Sequence, residues 1–369
     1  MADKKVKRES RIVIAKRDDL RGWQAWGIRV AAILVGLLLA GVVSAIMTGG
    51  NFFEIYEIMF RGAFGRVFEG KTTLLWKFFQ QSAVLLCLAL AVTPAFKMKF
   101  WNCGAEGQAL MGGLAAMVCM IQIGDGLPYP LLLLVIFVCS VLAGAIWGII
   151  PALFKAYYNT NETLFTLMMN YVATQIVAYY VYITGGGSGV ISPVETGNLP
   201  YIFGNKYVFN IIIIAVIMII AFIYFKYSKH GYEISVVGES QNTARYIGIN
   251  VKKVIIRTMF ISGAVCGIAG MILVSGIDHS INTNTIGGQG FTAIMVSWLG
   301  QFNPFIIALM SMLLNFFELG AAKVADTYYL NAAYADIIAG IVILLVVGCE
   351  FFIRYSVRIR TGRKERAVK

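Results

Sequence analysis

Apolar runs of bilayer-spanning length recur along the whole sequence, and no other feature constrains the fold as strongly. A helix needs about 20 such residues to cross a hydrocarbon core of roughly 30 Å. With no water to bond there, every backbone N–H and C=O must be satisfied inside the chain, which turns runs of this kind into helices. Spans are expected at 23–47, 74–94, 105–123, 131–150, 162–184, 207–225, 254–276, 288–299, 304–322 and 331–352, the eighth of them short. The segment 51–73 sets Phe52, Phe53 and Ile55 against Glu54, Glu57 and Arg61, a pattern suited to a helix lying at the outer interface. The fold class is therefore an all-α integral membrane protein of about ten transmembrane helices.

Composition agrees, with 59% hydrophobic and 14% charged residues, far from soluble averages. The spans leave no loop large enough for a soluble domain, so any energy source lies in another protein or in a gradient. A net charge of +12 invites a nucleic-acid reading, but the basic residues are split among 4–21, 226–257 and 354–369. By the positive-inside rule these regions are cytoplasmic, and an even span count brings both termini to that side. The first apolar run is longer than the roughly 7–15 residues of a signal-peptide core and is expected to remain as a span. The organisation is then a basic cytoplasmic segment (1–22), a polytopic membrane domain (23–353) holding a large cytoplasmic loop (about 226–253), and a basic cytoplasmic tail (354–369). The six cysteines fall in or beside apolar runs without metal-ligand spacing.

Polar residues inside such a chain carry the functional information, because a charge or amide in hydrocarbon normally faces protein or a water-filled path. Asn102, Glu106 and Gln108 stand between two spans with Gly104 and Gly107 among them. They read either as one wall of a translocation path or as a turn whose Glu106 is favoured by a helix N-terminus. Glu162, Thr166, Asn170 and Thr174 recur every four positions and share one helix face, lining a path or gluing helices together. Ser311, Asn315 and Glu318 share a face in the ninth span. In the large loop, Ser240 or Asn242 can cap a short helix that Gly248 ends. This is either a contact for a soluble partner or a solvated connector. Gly263, Gly267 and Gly270 would let neighbouring helices approach closely. The stretches 104–113 and 287–296 combine glycines and glutamine after spans of opposite direction, a hint of an inverted repeat with the site between its halves.

Two features mislead. Gly65-Arg66-Val67-Phe68-Glu69-Gly70-Lys71-Thr72 matches the Walker A pattern, yet it precedes a span on the expected outer side instead of joining a buried strand to a helix. The two histidines, His230 and His279, are separated by a whole span and form neither a metal cluster nor a catalytic dyad.

Several motifs together resemble the permease subunits of bacterial ABC importers for nucleosides and simple sugars, within the superfamily that holds the branched-chain amino-acid and ribose permeases. They are Asn102-Cys103-Gly104-Ala105-Glu106-Gly107-Gln108, Asn161-Glu162-Thr163 with Leu167-Met168-Met169-Asn170-Tyr171, Ala244-Arg245-Tyr246-Ile247-Gly248-Ile249-Asn250, Ile261-Ser262-Gly263-Ala264 and Gly290-Phe291-Thr292-Ala293-Ile294. Cys103 stands where the family usually has an aliphatic residue. The resemblance implies a multi-pass cytoplasmic-membrane subunit, not itself an enzyme and without a cofactor, since ATP is bound by a partner. The implied partners are a cytoplasmic ABC ATPase, a second permease subunit, homologous or identical, and an extracytoplasmic substrate-binding lipoprotein, with no role for nucleic acid.

The expected activity is ATP-driven import of nucleosides by alternating access. Substrate would pass Asn102, Glu106, Gln108, Glu162, Asn170, Asn315 and Glu318, with ATPase coupling through Glu239, Ala244, Arg245 and Gly248. The same architecture importing ribose or another simple sugar is the alternative. A gradient-driven secondary transporter titrating Glu106 and Glu318 is a further one.

Overall fold

The computed structural model describes residues 12–16, 22–65, 72–187, 189–331 and 333–359. Most of the basic N-terminal segment, residues 66–71 of the Walker-like run 65–72 and the end of the basic tail lie outside the described residues. In chain order the helices are α1 (Gly22–Thr48), α2 (Phe52–Phe64), α3 (Thr73–Lys97), α4 (Ala105–Ile123), α5 (Tyr129–Tyr158), α6 (Glu162–Thr184) and α7 (Val208–Tyr227). They continue as α8 (Lys229–Glu239), α9 (Gln241–Tyr246), α10 (Val251–Leu273), α11 (Gln289–Leu299), α12 (Pro304–Thr327) and α13 (Ala333–Arg354). A π-helical turn, Val274–Asp278, extends α10.

Among the described residues, nine helices are long and apolar enough to cross a membrane: α1, α3 to α7, α10, α12 and α13. The eighth expected span is α11, whose 11 residues reach only about 16 Å at 1.5 Å per residue. The expectation at 131–150 stops just before Pro151, but α5 runs through it and ends at Asn159, which adopts the left-handed conformation (φ 52°) and bonds the Lys155 carbonyl. A helix with neighbours to absorb the missing hydrogen bond tolerates such a proline.

The chain divides into two compact units. The smaller holds residues 1–62 and 317–369. There α1 packs on α13, with Gly36 in contact with Val342. The Tyr334 hydroxyl donates to Ser44 Oγ at 2.6 Å, and Ser44 in turn donates to the Ala40 carbonyl. Helix α2 buries Ile55 and Met59 and exposes Phe53 and Phe60, the two-faced character expected of an interfacial helix. A short antiparallel ribbon pairs β1 (Ile12–Lys16) with β2 (Tyr355–Ile359). It adds a detail to the all-α expectation and sets the two terminal segments side by side.

The larger unit, residues 63–316, is built around α4, α5 and α10, which pack against one another. Glycines make the approach possible. A Cβ on Gly263 would strike the Gly144 carbonyl, one on Gly267 the Ser140 carbonyl, and one on Gly270 the Ala109 carbonyl. The small residues expected to allow close approach in α10 therefore touch the backbones of both neighbours.

Candidate translocation site

The run from Trp101 to Gln108 joins α3 to α4, and its side chains fold back onto their own backbone. Asn102 and Gln108 are both buried and exchange amide hydrogen bonds: Asn102 Nδ2 donates to Gln108 Oε1 at 3.3 Å and Gln108 Nε2 donates to Asn102 Oδ1 at 3.1 Å. Asn102 Oδ1 also accepts from the Gly104 amide at 3.0 Å, and Asn102 Nδ2 donates to Ser262 Oγ of α10, also at 3.0 Å. A buried amide left unbonded costs about 1–3 kcal/mol by mutational measures. The closed exchange removes that penalty and fixes the start of α4.

Helix α6 supplies the next layer. Thr166 Oγ1 accepts from the Cys103 amide at 3.2 Å. Asn170 Oδ1 accepts from the Gly107 amide at 2.9 Å, while its Nδ2 donates to the Cys103 carbonyl at 2.8 Å. The polar face of α6 thus turns inward at Thr166 and Asn170 and holds the backbone of residues 103–107. Gly107 is required by this contact, since a Cβ there would lie 2.8 Å from Asn170 Oδ1. The Cys103 thiol is held above its ordinary pKa by burial first and by the Glu162 carboxylate second, so it is a neutral, weakly nucleophilic group near pH 7.

Glu106 ties α4 to α11. Its Oε1 accepts from the Gly288 amide and its Oε2 from the Gly290 amide, each at 2.8 Å. Gly288 caps α11 in the left-handed region (φ 80°), so the carboxylate satisfies the N-terminal amides of a helix that starts without a side-chain cap. Charge and dipole agree there as well. A Cβ on Gly290 would stand 2.5 Å from the Glu106 amide nitrogen, so only glycine admits the approach. The two glycine- and glutamine-bearing stretches, read from the sequence as counterparts in a repeat, meet each other at this carboxylate.

Beside the junction, Trp101 stacks on Trp298 with ring centroids 5.8 Å apart, and Phe96 and Phe302 close edge-on around Trp298. Both tryptophans remain accessible, at 47% and 37%.

Residues 74–347 match the family described as branched-chain amino acid transport system / permease component. The chain belongs to this family. It is a permease subunit, a multi-pass protein of the cell membrane. Among its relatives, the glucose ABC transporter permease of Haloferax volcanii is 27% identical over 366 residues, covering 94% of each chain. The guanosine ABC transporter permease of Bacillus subtilis is 29% identical over 346 residues, covering 91% of this chain and 95% of its own. The nucleoside ABC transporter permease of Lactococcus lactis is 26% identical over 309 residues, covering 80% and 83%. No solved structure matches the chain.

The remaining candidate residues of the permease are dispersed. Glu162 forms an ion pair with Lys155 at the end of α5, 2.9 Å apart. Asn315 donates to the Phe78 carbonyl and to Ser82 Oγ, both at 2.9 Å, and so fastens α12 to α3. Glu318 belongs to the smaller unit and is exposed at the surface of the chain. The expected loop helix exists as α9, capped by Ser240 Oγ, which accepts from the Thr243 amide. Asn242, the other candidate cap, lies inside that helix. Gly248 follows α9 at φ 85°. Ala244 is buried among Met98, Phe100, Val237 and Val251, while Arg245, Tyr246 and Ile247 face outward. Glu239 ends α8, which the Arg257–Glu233 pair (2.8 Å) fastens to α10.

Sequence reasoning did not select Ser262, Gly288, Gly290 or Lys155 as site residues. Ser262 and Gly290 stood inside the quoted motifs, so the signal was present, but no periodicity connects them to Asn102 and Glu106.

Proposed function

We propose that this permease forms the membrane path of an ATP-driven importer of nucleosides, with ATP bound and hydrolysed by a separate cytoplasmic subunit and substrate delivered by an extracytoplasmic binding protein. The observation that carries the reading is the Glu106 junction, where one carboxylate holds the short helix α11 against the start of α4. Discontinuous helices that meet inside a membrane protein are where transporters place their paths, because irregular backbone survives there only against protein or a water-filled cavity.

In this reading Asn102, Gln108 and Asn170 set the shape of the path, since their hydrogen bonds go to protein groups. The accessible Trp101–Trp298 pair offers a stacking face for an aromatic base. That face, together with the guanosine and nucleoside relatives, favours a nucleoside. The glucose relative keeps a sugar as the second reading. Glu318, exposed on a helix long enough to span, is unsuited to face lipid and supports a second permease subunit or a water-filled path beside it. The β1–β2 pairing of the terminal segments supports an even number of crossings, with α11 and the stretch leading to it making the eighth, and both termini cytoplasmic.

The test is uptake of labelled guanosine in cells expressing the permease with its ATPase and binding protein, with excess ribose or glucose as competitor. ATP-dependent uptake indifferent to either sugar is expected. Sugar uptake without nucleoside uptake would overturn the substrate assignment. Uptake abolished by an ionophore at constant ATP would overturn the energy source.

A further inference from the structure

A cleft of about 360 Å³ opens where the C-terminal end of α5 meets α9 and the N-terminal end of α10. Lys155, Arg245 and Lys252 line it together with Tyr157, Asn159 and Gln241, and no carboxylate does. The charge of Lys155 is met by Glu162 at 2.9 Å. The Lys252 ammonium lies over the Tyr157 ring, 4.7 Å from its centroid, and among the described residues no carboxylate pairs with Lys252 or Arg245. The cleft therefore carries two positive charges without a counter-charge. Helix α10 adds to this. Asn250 Oδ1 accepts from the Lys253 amide alone, so the Val251 and Lys252 amides, belonging to two residues that line the cleft, keep their capacity to bind an anion at a helix N-terminus.

The cleft also lies at the end of an apolar track. Leu142, Ile146, Leu153 and Tyr157 follow one another at spacings of four, seven and four along α5 and share a face. All four are exposed. Both α5 and α10 are long enough to cross a membrane, so their adjoining ends stand at a bilayer surface. A soluble anion would use the charges and leave the track empty. A phospholipid uses both.

We propose that this cleft binds the phosphate headgroup of an anionic phospholipid, with Lys252 and Arg245 as its charged contacts and its acyl chains lying along the exposed face of α5. The site includes Gln241 and Arg245 of α9 and is independent of which substrate the permease carries.

Native mass spectrometry of the full-length purified protein, titrated with phosphatidylglycerol or phosphatidylcholine, tests the site. The wild-type protein should retain phosphatidylglycerol in preference to phosphatidylcholine. Lys252→Gln should weaken retention of phosphatidylglycerol about fivefold and leave phosphatidylcholine unchanged. Lys252→Arg should restore the preference and shows that a weakened Lys252→Gln is not merely misfolded. A Lys206→Gln control should bind as wild type. Equal retention of both lipids by the wild type and Lys252→Gln would overturn the proposal. Displacement by inorganic phosphate, with no preference between the lipids, would overturn the lipid and make a soluble phosphate the occupant. Cross-linking of Gln241→Cys, which lines the cleft and leaves Lys252 and Arg245 in place, to the ATPase in the assembled transporter, undiminished by added phosphatidylglycerol, would overturn it in favour of a protein contact.

Discussion

At the scale of single residues, Glu106 and His279 make the sharpest claims. Both oxygens of Glu106 accept backbone amides, and hydrogen bonds to a charged group contribute about 1.5–3 kcal/mol each. Glu106→Gln keeps one acceptor and turns an NH2 group toward the other amide. It should lower the unfolding free energy by roughly that amount and reduce uptake. A thermal melt and an uptake assay that both match the wild type would remove Glu106 as the tie between α4 and α11. His279 follows the π-helical turn in the left-handed region (φ 53°), and its carbonyl accepts from the Val194 amide. Burial chiefly, with Lys206 adding to it, lowers its pKa below the usual 6.5, against the opposing pull of Asp278. The unfolded chain then binds the proton more readily than the folded one, so stability is full above the unfolded pKa and falls as the pH drops below about 6.5. His279→Asn, which tolerates the same backbone, should flatten the decline in melting temperature between neutral pH and about pH 5. An identical decline in both proteins would show that other groups carry it.

At the scale of elements, α10 reaches its neighbours through glycine, and its three contacts are with backbone atoms, which cannot step aside as a side chain can. Gly270→Val should cost more than the roughly 1–3 kcal/mol typical of overpacking and deplete the monodisperse fraction in size-exclusion chromatography. Gly340→Ala, with nothing within 4 Å of the added carbon, should leave that fraction unchanged, and equal profiles for the two variants would refute the packing argument. These elements were legible in the sequence because apolar length and small-residue spacing are local signals, and the spans 105–123 and 162–184 coincide with α4 and α6. The interior of the site was only half legible. The inward turn of Thr166 and Asn170 follows from their spacing of four, but the partner of Asn102 on α10 is 160 residues away, and the amides that Glu106 accepts are 182 and 184 residues away. Pairings across such separations leave no periodicity to read. The ribbon of β1 and β2 was missed for the same reason, since neither strand has a partner in its own neighbourhood.

At the scale of the larger unit, a continuous set of contacts runs from the exposed surface of α9 to α11. Ala244 and Val237 pack on Met98 and Phe100, the chain continues from there through Trp101 to Glu106, and Glu106 holds Gly288 and Gly290. Contact alone does not establish coupling, so the route has to be cut at one point while both ends are left intact. Gly238 is that point. A Cβ there would strike the Lys97 carbonyl, displacing α8 from the end of α3 without altering Arg245, Tyr246 or Ile247 on the outer face. Gly238→Val is therefore expected to bind the ATPase and hydrolyse ATP at close to the wild-type rate while uptake per ATP falls about tenfold or more, equivalent to at least about 1.4 kcal/mol of lost coupling. Tyr246→Glu changes the outer face instead, at a side chain that does not line the basic cleft, and should weaken ATPase binding as well as uptake. If Gly238→Val kept the wild-type ratio of uptake to hydrolysis, movement would have to reach α11 by another path, and the α8 contact with Lys97 would be packing alone.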